Sequence, residues 1–127
     1  MNTLAFVVDD TPLNLDIAAV LLKRAGWEVE TFPSARPMLE RLETRQPFVI
    51  LLDISMPDMN GSEACARIRS APALADIRVV AYTAHAHDDE HKRYLALGFD
   101  AVLTKPITPA SIAGTVGTAA NAVPRVR

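Results

Sequence analysis

The chain has 127 residues, half of them hydrophobic, and a formal net charge of −2. That length suits one domain with a substantial core, the hydrophobic content argues against disorder, and the near-neutral charge gives no sign of a nucleic-acid surface. The single cysteine, Cys65, excludes an internal disulfide framework or a cysteine-based zinc site.

In chain order, residues 4–8 form an apolar, β-branched run that stops at Asp9-Asp10. Thr11 with Pro12 signals a helix start, and that helix is expected to run to about Ala25, where Gly26 suits a left-handed ending. The apolar stretch within it, residues 17–22, is much too short to span a bilayer. A second strand is expected over 27–32, then a helix capped by Ser34 and reaching about Thr44. Pro47 precedes a third strand, 49–52, which runs into Asp53. Gly61-Ser62-Glu63 opens a helix that ends near Ser70 and contains Cys65 as an ordinary helix residue, and Pro72 and Asp76 mark the following loop. The fourth strand, 79–82, stops at Thr83. Asp88-Asp89 favours a helix N-terminus and Gly98 its end. The fifth strand, 101–104, stops at Lys105-Pro106, and Thr108-Pro109 starts the last helix, which is expected to contain Gly114 and Gly117. No repeat, low-complexity tract or linker divides the chain. The start, Met1-Asn2-Thr3, has no basic n-region of a secretory signal, so a cytoplasmic protein is expected.

Strands alternating with helices predict an α/β fold, a doubly wound parallel sheet covered on both faces. Right-handed crossovers leave few topologies. The flavodoxin-like strand order 2-1-3-4-5 makes all the polar strand ends useful at once, because ligands bind at the carboxyl ends of strands where the winding reverses. Neighbouring strands lie about 4.8 Å apart, so Asp10 and Asp53 can share one cation while Thr83 and Lys105 approach from the other side. Mg²⁺ wants octahedral oxygen ligands, and grouped carboxylates repel without a cation. A carboxylate can act as nucleophile toward phosphorus, and the transfer needs neutralised equatorial oxygens. The cation, the Lys105 amine and the Thr83 hydroxyl are the right types for that work.

These pieces resemble the receiver domain of two-component response regulators over essentially the full length. The resemblance rests on Asp9-Asp10, the run from Asp53 through Met56-Pro57 to Gly61, Thr83-Ala84 and Lys105-Pro106, in that order and at strand ends. It implies that Asp53 accepts a phosphoryl group from a phosphohistidine on a histidine kinase or histidine phosphotransfer protein. It implies too that Asp10 ligates Mg²⁺ (with Mn²⁺ as a substitute), that Asp9 helps mainly through water, and that Ser55 offers its main-chain carbonyl. Thr83 and Lys105 would contact the phosphoryl oxygens, and the Lys105-Pro106 bond would be cis. The switch would then act on a downstream protein target, with neither direct nucleic-acid contact nor membrane insertion.

Against the family pattern, Val102 stands three residues before the lysine, where many receivers carry a switch aromatic. Position 85, together with Ser55, would flank the route of attacking water. His85, His87 and His91 lack the glutamate or cysteine of a zinc signature and read as surface residues. In the first helix, Asn14, Ile17, Ala18, Leu21 and Ala25 follow one face, with Leu15, Ala19 and Leu22 beside it. This is either a broad buried face or, in part, an exposed strip for a partner's helices; Lys23 and Arg24 face solvent. With no effector region in 1–127, a stand-alone receiver is expected, a detached receiver of a hybrid kinase being the variant of that reading. Two other readings compete with a signalling phospho-acceptor that is not otherwise an enzyme. One is a small phosphohydrolase with an aspartyl-phosphate intermediate, whose pattern wants an aspartate where Ser55 stands. The other is a binding module indifferent to phosphate.

Overall fold

The computed structural model describes residues 2–84 and 87–125. Five strands alternate with five helices: β1 (Leu4–Val8), α1 (Pro12–Arg24), β2 (Glu28–Phe32), α2 (Ala35–Arg41), β3 (Val49–Asp53), α3 (Gly61–Ser70), β4 (Arg78–Thr83), α4 (Asp88–Ala96), β5 (Ala101–Thr104) and α5 (Pro109–Thr115). A single 3-10 turn, Pro72–Leu74, precedes β4. The sheet has the order β2-β1-β3-β4-β5, and every pairing is parallel. Every residue of β1, β3 and β4 is buried, which is why they read as continuous apolar runs rather than alternating ones.

Alternate side chains of these strands feed two cores. Phe6, Ile50, Leu52 and Val79 pack with Met38, Ala64, Ile68 and Tyr94 on the α2, α3 and α4 side. Val7, Leu51, Val80 and Tyr82 pack with Ala18, Leu22 and Ile112 on the α1 and α5 side. Gly26 at φ 94° and Gly98 at φ 108° follow α1 and α4 in the left-handed region, where a Cβ would be strained.

Several local expectations need correction. Thr11 and Ser34 occupy N-cap positions, but neither side chain bonds the helix; Thr108 does, in a reciprocal capping box with Ser111. Helix α2 stops at Arg41 rather than near Thr44, and the chain leaves it through turns. Trp27 precedes β2 and is buried, its indole N–H donating to the Gly117 carbonyl at 3.0 Å. Gly117 is not inside the last helix: α5 ends at Thr115, and Gly117, at φ 80°, turns the chain back so that Val123 N–H donates to Val116. Position 85 lies outside the described residues, while His87 and His91 are exposed.

The two apolar stripes of α1 do not face the core throughout. Ala18 and Leu22 are fully buried, whereas Ile17 is 40 % exposed and lies with Leu13 and Val20, residues of neither stripe, at 65 and 47 %. Ile17 therefore belongs to an outward strip, not to the core face. Lys23 and Arg24 are exposed as expected. Cys65 is buried on α3, and burial pushes its thiol up to about 11, which suits a packing residue.

Candidate functional site

Four strands end at one sheet edge, and each delivers a polar side chain there. Asp9 and Asp10 follow β1, Asp53 closes β3, Thr83 closes β4, and Lys105 follows β5. Asp9 is fully buried. Its Oδ1 accepts from the Thr11 N–H at 2.9 Å, and its Oδ2 lies 2.8 Å from the Lys105 ammonium. Asp53 is also buried; its Oδ1 accepts from Ser55 N–H at 3.2 Å and lies 3.4 Å from Lys105 Nζ. Thr83 is buried, and its carbonyl accepts from the Lys105 N–H at 2.8 Å, which ties β4 to the lysine's backbone. The Lys105–Pro106 bond is cis. Asp10 is exposed and, with Thr11, Asp53, Ser55, Thr83, Ala84 and Lys105, lines a cleft of about 280 Å³. A larger groove of about 570 Å³ lies beside it, between the loop after β3 and α4, and shares Ser55.

Carboxylate oxygens of Asp9, Asp10 and Asp53 come within 4.8 Å of one another. Burial, followed by the neighbouring charge of Asp9, pushes Asp53 up to about 6, against the opposing pull of Lys105. Asp9 Oδ2 is buried without a well-aligned hydrogen bond, its lysine contact being an ion pair. A crowded carboxylate set with an underserved buried oxygen fits a hard divalent cation. Among the described residues, Asp9, Asp10 and Asp53 are the ones grouped closely enough to hold it.

The family profile described as response regulator receiver domain matches residues 5–116. The chain belongs to that receiver family. Receivers bind Mg²⁺ through acidic residues, and this receiver presents such a cluster. It is 40 % identical over 101 residues to the Escherichia coli signal transduction histidine-protein kinase BarA, covering 79 % of this chain but 11 % of that protein. It is 35 % identical over 113 residues to a 14.6 kDa protein of Leptolyngbya boryana, covering 86 % of each. The solved chemotaxis response regulator CheY4 of Vibrio cholerae superposes with a TM-score of 0.83 at 25 % identity, over 91 % of this chain and 96 % of that one. Among the described residues no helix is long and apolar enough to cross a membrane.

One residue of the site was not evident from sequence. The Tyr82 ring lies under the Lys105 ammonium, 4.5 Å from centroid to Nζ. In the sequence it is only another member of a buried strand; the contact exists because β4 and the segment after β5 are neighbours.

Proposed function

We propose that Asp53 is the phospho-acceptor of this receiver. An ionised Asp53 oxygen attacks the phosphorus of a phosphohistidine on a histidine kinase or phosphotransfer protein. The new O–P bond forms as the P–N bond breaks, and the imidazole leaves with the bonding pair. The observation that carries this reading is the convergence of three carboxylates, a hydroxyl-bearing residue and an ammonium at four strand ends around one cleft. With Asp53 raised only to about 6, most of it is ionised at neutral pH and available as a nucleophile. Asp10, Asp53 and the Ser55 carbonyl would hold Mg²⁺, which when bound would neutralise the phosphoryl oxygens. Lys105 exchanges its carboxylate partners for a phosphoryl oxygen, and the Thr83 hydroxyl donates to another. The movement of Thr83 is passed on to α4 and changes affinity for a downstream protein.

The exposed strip Leu13, Ile17 and Val20 on α1 supports a docking role for the helices of the phosphodonor. The test is transfer from a labelled phosphohistidine donor. Asp53→Asn should take up no label, and Asp10→Asn should show weakened Mg²⁺ binding and slowed transfer while remaining folded. Stoichiometric labelling of Asp53→Asn at the wild-type rate would overturn the assignment. Steady turnover of an external phosphate ester would replace it with the phosphohydrolase reading.

A further inference from the structure

The Lys105 ammonium lies 2.8 Å from Asp9 Oδ2, 3.4 Å from Asp53 Oδ1 and 4.5 Å from the centroid of the Tyr82 ring. The lysine side chain is 16 % exposed, so water competes weakly for the ammonium. A cation within about 6 Å of an aromatic centroid is attracted by the ring quadrupole, more strongly where it is desolvated. Tyr82 itself is held rigidly. It is buried on β4, paired in register with Asp53 on β3 and Leu103 on β5. Its carbonyl accepts from the Ile54 N–H, and its ring sits in the core on the α1 and α5 side. Burial and the charges of Asp9 and Asp53 push its phenol up to about 12, so the ring is neutral in ordinary buffers.

We propose that Tyr82 is a positioning residue that acts through Lys105, offering the ammonium an uncharged partner in addition to the two carboxylates. Without the ring, Nζ is held, among the described residues, by Asp9 and Asp53 and competes with a divalent cation for their oxygens. With it, the ammonium keeps a contact when the carboxylates turn to a cation, and stays above the cleft. An aliphatic side chain would fill the same space without doing this. The inference rests on the reading of Asp9, Asp10 and Asp53 as a cation site, but not on phosphoryl transfer.

The experiment is calorimetric titration of the full chain with MgCl₂, comparing Tyr82→Phe, Tyr82→Leu and a series with progressively fluorinated phenylalanine at 82. The fluorinated series keeps volume while weakening the ring face, so it informs even if the leucine variant fails to fold. Loss of the ring face should weaken Mg²⁺ binding about fivefold, as a modest cation–π contact implies, with phenylalanine within about twofold of wild type on the same basis. Affinity should fall step by step with fluorination. In a Lys105→Ala background the substitutions at 82 should have no effect, since the coupling would be gone. Equal losses in both backgrounds would mean a packing effect and overturn the proposal, as would a flat fluorine series. A second arm needs no metal: the Lys105 ε-methylene protons should show an upfield ring-current shift in wild type and Tyr82→Phe. Its absence in wild type overturns the proposal whatever the titrations give. Failure of wild-type phosphotransfer would overturn the proposed function while both arms still decide this one.

Discussion

At Asp53 the fold holds an acid in the state it least favours. Its unfolded value is near 3.8 and burial with Asp9 raises it to about 6. Between those values the folded chain binds more protons than the unfolded one, so stability falls as pH rises. Above about pH 6 that loss is complete, on the order of 1–3 kcal/mol. Asp53→Asn is therefore expected to be more stable than wild type at pH 7 in a chelating buffer, and equal to it near pH 4. Added Mg²⁺ should narrow the gap by stabilising the wild type; urea titrations at the two pH values, with and without the metal, measure this. A second residue acts on the same carboxylate through the main chain. A Cβ at Gly61 would collide with the Asp53 carbonyl oxygen and crowd Ile54 Cα at 3.0 Å, at the place where the Gly61 N–H donates to Ile54. Gly61→Ala should cost about 1–3 kcal/mol by overpacking. Because the atoms displaced belong to the proposed acceptor, it should also slow beryllofluoride binding in the fraction that remains folded, read by fluorine NMR.

Among the elements, α1 has the most specific consequence. It anchors the sheet with Ala18 and Leu22 and turns Leu13, Ile17 and Val20 outward. Leu13→Ser with Ile17→Ser should leave thermal stability within about 1 kcal/mol, as surface substitutions do. The pair should lower the rate of transfer from a phosphohistidine protein at least tenfold (about 1.4 kcal/mol), while uptake from a small phosphodonor is unchanged. Equal slowing with both donors would place the defect in the cleft instead. How far such elements can be read from sequence depends on whether their signal is local. The strands were legible because runs such as Val49 to Leu52 are buried on both sides and end at a polar residue. The same property made Asp9, Asp53, Thr83 and Lys105 legible as one site, given the strand order. The outward strip of α1 was legible only as an excess of apolar residues; which of them face out depends on how the helix rolls against β1 and β2. Gly117 looked like a weak point in a helix because nothing local announces that Ala119 N–H bonds Ala25, or that Trp27 reaches the Gly117 carbonyl.

Across the whole molecule, the end of the sheet opposite the cleft is closed by charge. Arg69 and Arg125 bind Asp100 at 2.7 and 3.1 Å, and Asp100 also accepts from the Val79 N–H. The buried Arg78 donates to the Thr115 and Pro124 carbonyls, and Arg125 to that of Ala75, so the chain after α5 is strapped beneath the sheet. Removing the shared acid leaves the largely buried Arg69 and Arg125 guanidinium groups with carbonyl partners but without the carboxylate that neutralises them. Asp100→Ala should thus cost roughly 3 kcal/mol in urea denaturation without altering Mg²⁺ affinity at the far end. None of this network was foreseen, since bonded members are separated by up to 50 residues and meet only through the fold. A different set of charges bears on the company the molecule keeps. The sheet ends at β2, whose outer row of amides and carbonyls has no neighbouring strand among the described residues and is a ready template for another chain. Glu28 and Glu30 stand on that strand, bridged by Arg45, with Arg41 on Glu30 as well. These exposed pairs do little for stability. Their hydrogen bonds hold both carboxyls below the usual range, so the charges persist into mild acid. A second copy could extend the sheet only by stripping water from them. Replacing both with valine should leave the monomer folded yet let two copies pair edge to edge through β2, seen as a dimer by light scattering at concentrations where the native chain does not pair.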